Sequence, residues 1–122
     1  MSDGVVEIAG RRAWLCAEAG PPIASEREAA DIIGETFGAG VRLVVIPAAR
    51  LPDAFLDLKS GLAGAVLQKF VNYGRHVAIL GDLGDAARAS RALGDFIGES
   101  NRGRSVWFVS DRAALEEKLA TL

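Results

Sequence analysis

The sequence predicts one α/β domain over residues 1–122, built on a single mainly parallel sheet with an N-terminal β-hairpin. Two observations predict this class. Short apolar segments rich in β-branched residues alternate with segments of helical periodicity, in the order ββαβαβαβα, which is typical of parallel sheets with right-handed crossovers. The composition, 50% apolar and 25% charged residues among 122, is that of a globular domain long enough to bury a core.

The first third of the chain predicts a hairpin and a helix. Residues 5–9 and 13–17 are short β-type segments on either side of Gly10, which suits a tight turn. Ser25 and Glu28 form a capping box, so a helix is expected to begin there. Ala29, Ile33 and Phe37 are expected to lie on its buried face, and Gly38 is expected to end it.

The middle third predicts two buried strands that flank a loop and a second helix. Residues 41–46 and 77–80 are nearly continuous apolar segments, typical of strands covered on both faces. Residues 48–59 are expected to be irregular, and the second helix is expected to begin near Ser60 and to end at Gly74. The side of this helix expected to pack inward carries Leu62, Val66, Phe70 and Tyr73.

The final third predicts one long helix, a strand and a last helix. The long helix is expected to begin at Asp82 or Asp85 and to end at Gly103, because aspartate favours helix N-termini and glycine favours their ends. Residues 105–109 form the last strand, and Asp111 is expected to cap the final helix. The residues expected to face inward are Leu93, Phe96 and Ile97 in the long helix and Leu115, Leu119 and Leu122 in the last.

The charge and the composition exclude several classes of function. A formal net charge of −2 gives no electrostatic basis for binding nucleic acid or an anionic membrane. No apolar run approaches the roughly 18 residues of a membrane span, and the N-terminus has no basic segment, so we expect a cytoplasmic protein. Cys16 and His76 are the only cysteine and histidine, which leaves no basis for a disulfide or a zinc site.

Known catalytic and nucleotide-binding patterns are also missing from the sequence. A Cys-His dyad would require Cys16 and His76 to be neighbours in the sheet, which nothing in the sequence indicates. The Gly-Asp-Leu-Gly segment at residues 81–84 departs from the glycine pattern of dinucleotide-binding turns, and no Walker A pattern occurs. We therefore predict no metal, no cofactor, no catalytic residue and no enzymatic activity.

Polar residues are expected to gather at one edge of the sheet. In an open parallel sheet, ligand sites lie outside the carboxyl ends of the strands. Residues 47–60, 81–85 and 110–111 follow predicted strands and should meet at this edge, where helix N-termini would add free amides and positive dipole ends. The candidates for a shared polar surface are Asp57, Lys59, Ser60, Asp82 and Asp85.

Ser60 has two interpretations that do not exclude each other. As an N-cap, its hydroxyl would stabilise the second helix by about 1 kcal/mol. As a phosphoacceptor, it would acquire a charge of about −1.5 to −2 at a helix N-terminus, where negative charge is favoured.

Further candidates for an interaction surface lie on the second and third predicted helices. Gln68, Lys69 and Asn72 are expected to form a recognition surface, whereas Tyr73 is expected in the core with its hydroxyl at the rim. Asn101 and Arg102 are the remaining candidates. Both also suit a helix C-terminus, since an arginine complements the dipole and an asparagine favours a left-handed cap.

The segment Asp57-Leu58-Lys59-Ser60-Gly61-Leu62 opens a helix after a buried strand. This segment and the element order resemble the STAS domain, the fold of the anti-sigma-factor antagonists. In that family the segment reads Asp-Ser-Ser-Gly-Leu, and a partner kinase phosphorylates the serine before the glycine. The resemblance implies that Ser60 is the phosphorylatable serine. This chain departs from the pattern because Lys59 replaces the first serine and Asp57 lies one residue further back.

Four separated segments carry a second resemblance: FLDLKSGLAG at residues 55–64, QKFVNY at 68–73, AILGD at 78–82 and FIGESNRG at 96–103. In the same order, they resemble a bacterial domain-of-unknown-function family, number 4180 in that series. This match covers nearly the whole chain. It implies membership of a family and carries over no activity.

Three functions are consistent with these features. The leading hypothesis is a non-enzymatic regulatory or protein-interaction module, similar to STAS domains, that acts through the surface around Ser60 and the second helix. The alternative is a domain that binds a small ligand, a nucleotide or another anion, at the carboxyl edge of the sheet. The third is self-association, in which an edge strand of the hairpin carrying Trp14 pairs with another copy.

Overall fold

The computed structural model describes residues 3–121, and this part of the chain forms five strands and six helices. The strands are β1 (Gly4–Ile8), β2 (Arg11–Leu15), β3 (Leu43–Pro47), β4 (His76–Leu80) and β5 (Val106–Val109). The helices are α1 (Glu26–Ala39), α2 (Asp53–Leu56), α3 (Leu62–Asn72), α4 (Gly84–Ala89), α5 (Arg91–Arg102) and α6 (Arg112–Leu119). Two short 3₁₀ turns, Ala48–Arg50 and Leu58–Ser60, lie on either side of α2.

All five strands form one mixed sheet in the order β1-β2-β3-β4-β5. β1 and β2 pair antiparallel, and β2 to β5 are parallel to one another. The hairpin turn consists of Ala9 and Gly10, whose φ angles of 51° and 79° are the positive values that a type I′ turn requires. The predicted α/β class, with a hairpin followed by parallel strands, is therefore confirmed.

The hairpin differs from the prediction in which of its strands lies at the edge. β2, which carries Trp14, is flanked by β1 on one side and β3 on the other. The predicted edge strand carrying Trp14 is therefore wrong. The open edge on this side of the sheet belongs to β1, because β2 uses its second edge for parallel pairing with β3.

The strand order determines which face of the sheet each helix covers. Each parallel strand lies next to the preceding one and always on the same side, so right-handed crossovers place all connecting helices on one face. α1, α3 and α5 pack on this face, over a core that includes Val44, Ile79 and Phe108. α6 follows the last strand and packs on the opposite face, where Leu115 joins Trp107 in a second core.

The predicted long helix between Asp82 and Gly103 is wrong, because α4 and α5 are separated at Ser90. The backbone of Ser90 is extended (φ −137°, ψ 110°), which breaks the helix. Its hydroxyl accepts a hydrogen bond from the Leu93 amide (3.2 Å), so Ser90 is the N-cap of α5. Asp82 accepts a hydrogen bond from the Gly84 amide (2.8 Å) just before α4.

Two aromatic residues predicted to face the core are exposed instead. Phe37 and Tyr73 retain 59% and 50% of their surface, although Ala29 and Ile33 of α1 are buried as predicted. Both aromatic residues lie at the C-terminal end of a helix, in α1 and directly after α3. α1 also ends later than predicted, at the left-handed residue Gly40 (φ 69°).

The last helix matches its prediction within the described residues. Asp111 accepts a hydrogen bond from the Ala114 amide (2.8 Å) and caps α6, and Leu115 and Leu119 are buried. Leu122, which was also predicted to face inward, lies outside the described residues. Within residues 3–121, every helix is too short or too polar to span a membrane.

Candidate functional site

Ser60 lies on the exposed connection between α2 and α3 and ties the two helices together. Its hydroxyl donates a hydrogen bond to the Ala54 carbonyl and accepts one from the Leu62 amide (3.2 Å). Gly61, with φ 78°, occupies the N-cap position of α3 that the sequence predicts for Ser60. The prediction of the cap is therefore off by one residue, since a left-handed residue is needed to turn the chain between the 3₁₀ turn and α3. The Ser60 side chain is therefore exposed, and its hydrogen bonds also stabilise the connection between α2 and α3.

The predicted polar residues at the carboxyl edge of the sheet belong to separate local structures. Asp57 is exposed and caps the 3₁₀ turn by accepting a hydrogen bond from the Lys59 amide (3.2 Å). Asp85 pairs with Arg88 within α4. Asp82 lines a largely apolar cavity of about 250 Å³ next to the end of β4, and neither Asp57 nor Lys59 lines that cavity. These carboxylates therefore have local roles in turns and helices.

Gln68, Lys69 and Asn72 do lie together. They line a groove of about 540 Å³ along α3. The other walls of this groove are formed by Ala65, Tyr73 and Glu26 of α1. Gln68 and Asn72 are exposed and form a hydrogen bond between their side-chain amides (2.8 Å), while Lys69 is half-buried. We call this groove the α3 groove.

An exposed aromatic pair lies beside the α3 groove. The rings of Phe37 and Tyr73 meet edge to face, with centroids 6.4 Å apart and an interplanar angle of 86°. The guanidinium of Arg75 lies 4.0 Å from the centroid of the Phe37 ring. Arg75 is buried and donates hydrogen bonds to Thr36 Oγ1 (2.8 Å) and to the Tyr73 carbonyl (3.0 Å). Arg75 thereby joins the ends of α1 and α3 and packs against the Phe37 ring.

Asn101 and Arg102, the remaining predicted surface residues, differ in their surroundings. Asn101 is half-buried, and its side-chain amide binds both backbone groups of Phe108 in β5. Arg102 is exposed in the last turn of α5, where its charge complements the helix dipole. The predicted left-handed cap at this end is wrong, because Gly103 has a φ of −89°.

The single cysteine lies at the carboxyl edge of the sheet and the single histidine lies at its amino edge. Cys16 directly follows the carboxyl end of β2, whereas His76 is the first residue of β4. Burial raises the pKa of the Cys16 thiol to about 12, so the thiolate that a nucleophile requires is not formed at neutral pH. His76 Nδ1 lies 2.8 Å from the Arg104 carbonyl oxygen. The structure therefore separates the two residues of the dyad considered in the sequence.

A group of arginines at the amino edge of the sheet was missed in the sequence analysis. Arg11, Arg42, Arg75 and Arg104 lie at or just before the starts of the four parallel strands. The signal for this group is present in the sequence. Parallel strands all begin at the amino edge of the sheet and all end at its carboxyl edge. Residues that directly precede successive strands therefore lie together along the amino edge.

Comparison with known proteins places the chain in a family. No curated protein and no solved structure gives a significant match. A family model described as "Domain of unknown function (DUF4180)" matches residues 8–119, which include every strand of the sheet except the first part of β1. The match extends over most of the chain and includes all four segments on which the resemblance rests, so the chain belongs to the DUF4180 family.

Proposed function

We propose that this protein is a non-enzymatic protein-interaction module that binds a protein partner through the α3 groove and the adjoining aromatic pair. The observation that carries this proposal is the exposure of Phe37 and Tyr73, at 59% and 50%, next to each other on one surface. Large exposed aromatic residues that lie together are characteristic of protein-binding surfaces.

The physical properties of the pair suit a binding hot spot. Arg75 packs against the Phe37 ring and binds the backbone of Tyr73, and the two rings contact each other, so less conformational entropy is lost when a partner covers them. Tyrosine is among the residues that contribute most to binding energy, because its ring buries apolar area while its hydroxyl stays paired. An apolar side chain of the partner would pack on the two rings.

The α3 groove supplies the polar part of this surface. Gln68 and Asn72 offer amide donors and acceptors, and Lys69 adds a positive charge, its Nζ lying 6.0 Å from the centroid of the Tyr73 ring. Glu26 lies across the groove, so the surface carries both signs of charge. Such a polar rim beside an aromatic centre gives specificity and orients the partner.

Tyr73→Ala and Lys69→Glu are each expected to weaken binding of the partner, by roughly 30-fold for the tyrosine, which is the loss typical of a hot-spot residue. The partner is isolated from the native extract with the unmodified protein as bait, and its affinity for each purified variant is then measured by calorimetry.

The matched control for Lys69→Glu is Glu117→Lys, a charge reversal on the exposed side of α6, on the opposite face of the sheet. Binding by Glu117→Lys is expected to equal that of the unmodified protein. Unchanged affinity in both Tyr73→Ala and Lys69→Glu would contradict the proposed surface. Melting temperatures of all variants confirm that they are folded.

We further propose that the module is STAS-like and that phosphorylation of Ser60 regulates it. This part is supported by the order of strands and helices and by the Ser60-Gly61-Leu62 helix start. α3 has 11 residues, so Ser60 and the aromatic pair are about 16 Å apart along its axis. That separation exceeds the Debye length of about 8 Å at physiological salt. A phosphate on Ser60 would therefore change binding only if the partner extends along α3 and contacts the phosphate directly.

Peptide mapping by mass spectrometry, on protein purified from its own organism under phosphatase inhibition, is expected to show a phosphate on Ser60. We expect this modification because the Ser60 hydroxyl is exposed and a kinase can reach it. Phosphorylation also removes the hydrogen bond that this hydroxyl donates to the Ala54 carbonyl. An unmodified Ser60 under several growth conditions would remove the regulatory part of the proposal and leave the interaction surface as it stands.

A further inference from the structure

The amino edge of the sheet contains a cavity of about 220 Å³ that is distinct from the α3 groove. The residues that line it are Arg11, Arg12, Arg42, Leu43, His76, Trp107 and Leu119. Three of them are arginines and one is a histidine, and none is acidic. The cavity therefore combines positive charge with an apolar floor formed by buried residues.

The register of the strands explains why Arg11, Leu43 and His76 share one side of the sheet. Ala13 of β2 pairs with Leu43 of β3, and Leu43 pairs with His76 of β4. Side chains alternate between faces along a strand, so Arg11 lies on the same face as Ala13, Leu43 and His76. This is the face covered by α6, whose Leu119 closes the apolar floor.

Two of the arginines at this edge, Arg12 and Arg75, bind carbonyl groups at the C-terminal ends of helices. Arg12 donates a hydrogen bond to the Ala39 carbonyl at the end of α1 (3.1 Å), and Arg75 donates one to the Tyr73 carbonyl (3.0 Å). Such contacts satisfy terminal carbonyls and complement the helix dipole. Arg11 and Arg42 have no such role: among residues 3–121, their guanidinium groups form no hydrogen bond or ion pair.

Glu7 of β1 and Glu116 of α6, which belong to neighbouring elements, do not line this cavity. Glu7 of β1 pairs with Arg12 in the hairpin register, so its side chain is on the face opposite to that of Arg11. Glu116 of α6 forms an ion pair with Arg112 (3.4 Å). The cavity thus has an excess of positive charge, which comes from arginines at the starts of β2 and β3.

We propose that this cavity binds a small organic oxyanion, a carboxylate or a phosphate monoester that carries a compact apolar group. The guanidinium groups of Arg11 and Arg42 hold the anion, since guanidinium donors match carboxylate and phosphate oxygens in bidentate geometry. The apolar group packs against Leu43, Trp107 and Leu119 at the floor. His76 keeps Nε2 for a further polar contact, because its Nδ1 is engaged by the Arg104 carbonyl.

The volume of the cavity limits the size of the ligand. A cavity of about 220 Å³ is below the roughly 300–1,000 Å³ of sites that enclose drug-sized ligands. The cavity therefore cannot enclose a dinucleotide, and a single aromatic or short aliphatic group with one anionic head is the class that it can enclose. The indole of Trp107 is fixed for such packing, since its Nε1 donates a hydrogen bond to the Gly103 carbonyl (2.9 Å).

Titration with benzoate, phenyl phosphate, inorganic phosphate and neutral benzamide, followed by protein NMR, tests this proposal. Benzoate or phenyl phosphate is expected to shift the Trp107 indole and the Leu43 methyl resonances. Benzamide has the shape of benzoate without its charge and is expected to bind at least about tenfold more weakly, because charge-assisted hydrogen bonds to the arginines are lost. Inorganic phosphate is expected to bind more weakly than phenyl phosphate, because it cannot use the apolar floor.

Arg42→Gln and Arg11→Gln are expected to weaken binding of the organic anion by about tenfold or more. The matched control is Arg91→Gln, the same change of charge at an exposed position of α5, which is expected to leave the affinity unchanged. Equal losses in Arg91→Gln and Arg42→Gln, or equal affinities for benzoate and benzamide, would overturn the proposal. So would the absence of any shift with all three anions at millimolar concentrations.

Discussion

Replacement of Arg50 by methionine is expected to lower the free energy of unfolding by about 3 kcal/mol, the largest effect among the changes considered. Arg50 is 5% exposed and holds the loop between β2 and α1 against the 3₁₀ turn that follows β3. Its Nε donates to the Pro21 carbonyl (2.6 Å) and its Nη1 to the Ala17 carbonyl (2.9 Å). The same nitrogen lies 3.6 Å from a carboxylate oxygen of Asp3. Methionine fills the apolar space and leaves these acceptors unpaired.

Urea denaturation measures this loss as a lower midpoint with an unchanged slope. Arg91→Met, at an exposed position of α5, is the matched control and is expected to change stability by less than about 0.5 kcal/mol. Equal stabilities of the two variants would show that the buried hydrogen bonds of Arg50 contribute nothing.

Gly20 provides a second test of the same contact. A Cβ at Gly20 would overlap the guanidinium of Arg50, so Gly20→Ala is expected to destabilise the protein by displacing that group from its carbonyl partners. In the Arg50→Met background the overlap is relieved by the flexible thioether. The two substitutions are therefore expected to be less than additive in a double-mutant cycle.

Asn101→Ala is expected to lower the free energy of unfolding by about 2 kcal/mol and to promote aggregation. Asn101 Oδ1 accepts a hydrogen bond from the Phe108 amide (2.7 Å), and Nδ2 donates one to the Phe108 carbonyl (3.1 Å). The amides of Val77 in β4 and of Gly81 just after it bind the Ser105 and Val109 carbonyls. The backbone groups of Phe108 therefore point away from β4, toward the open edge. At this edge the Asn101 side chain forms the two backbone hydrogen bonds that a neighbouring strand would otherwise form with Phe108.

Denaturation and light scattering measure the two parts of this prediction. Asn72→Ala is the control for stability, because Asn72 is exposed and its side chain binds only Gln68 among residues 3–121. Asn101→Asp keeps the acceptor for the Phe108 amide but places a second oxygen against the Phe108 carbonyl, so it is expected to destabilise as well. A stable, monomeric Asn101→Ala variant would contradict the role of this residue as an edge cover.

Several parts of the fold follow directly from residues that are close in sequence. The predicted N-cap at Ser25 is confirmed, although its Oγ accepts the Arg27 amide (3.2 Å) and not the Glu28 amide expected in a capping box. Its hydroxyl donates to the Glu28 carboxylate. This donation is the main cause of the lowered pKa of Glu28. Asp111 caps α6 in the same way. Caps and turns of this kind involve residues two or three apart, so the sequence is sufficient to predict them.

The break at Ser90 is not predicted by the sequence, although serine is a residue that favours helix N-caps. Ser90 lies between two alanine- and arginine-containing segments that favour helix on both sides, and a serine within such a run is compatible with a continuous helix. Its role as the N-cap of α5 depends on whether the chain turns there, which the packing of α5 on β5 decides. Local propensity alone does not distinguish the two conformations.

The candidate site could be predicted only in part. The proximity of Gln68, Lys69 and Asn72 follows from helical periodicity, because residues three and four apart share a face. The exposure of Phe37 and Tyr73 does not follow from it. Periodicity gives the direction of a side chain around its helix and does not tell whether another element covers that direction at the helix end.

The strands, most helices and the caps at Ser25 and Asp111 thus follow from the sequence alone, since each depends on residues that are near neighbours in the chain. The tertiary structure decided the face that each helix covers, the role of Asn101 at the β5 edge, and the meeting of Arg11, Arg42 and His76 at one cavity. These features depend on pairing between distant strands. Their register is set by how the whole sheet and both layers of helices pack, which no local pattern specifies.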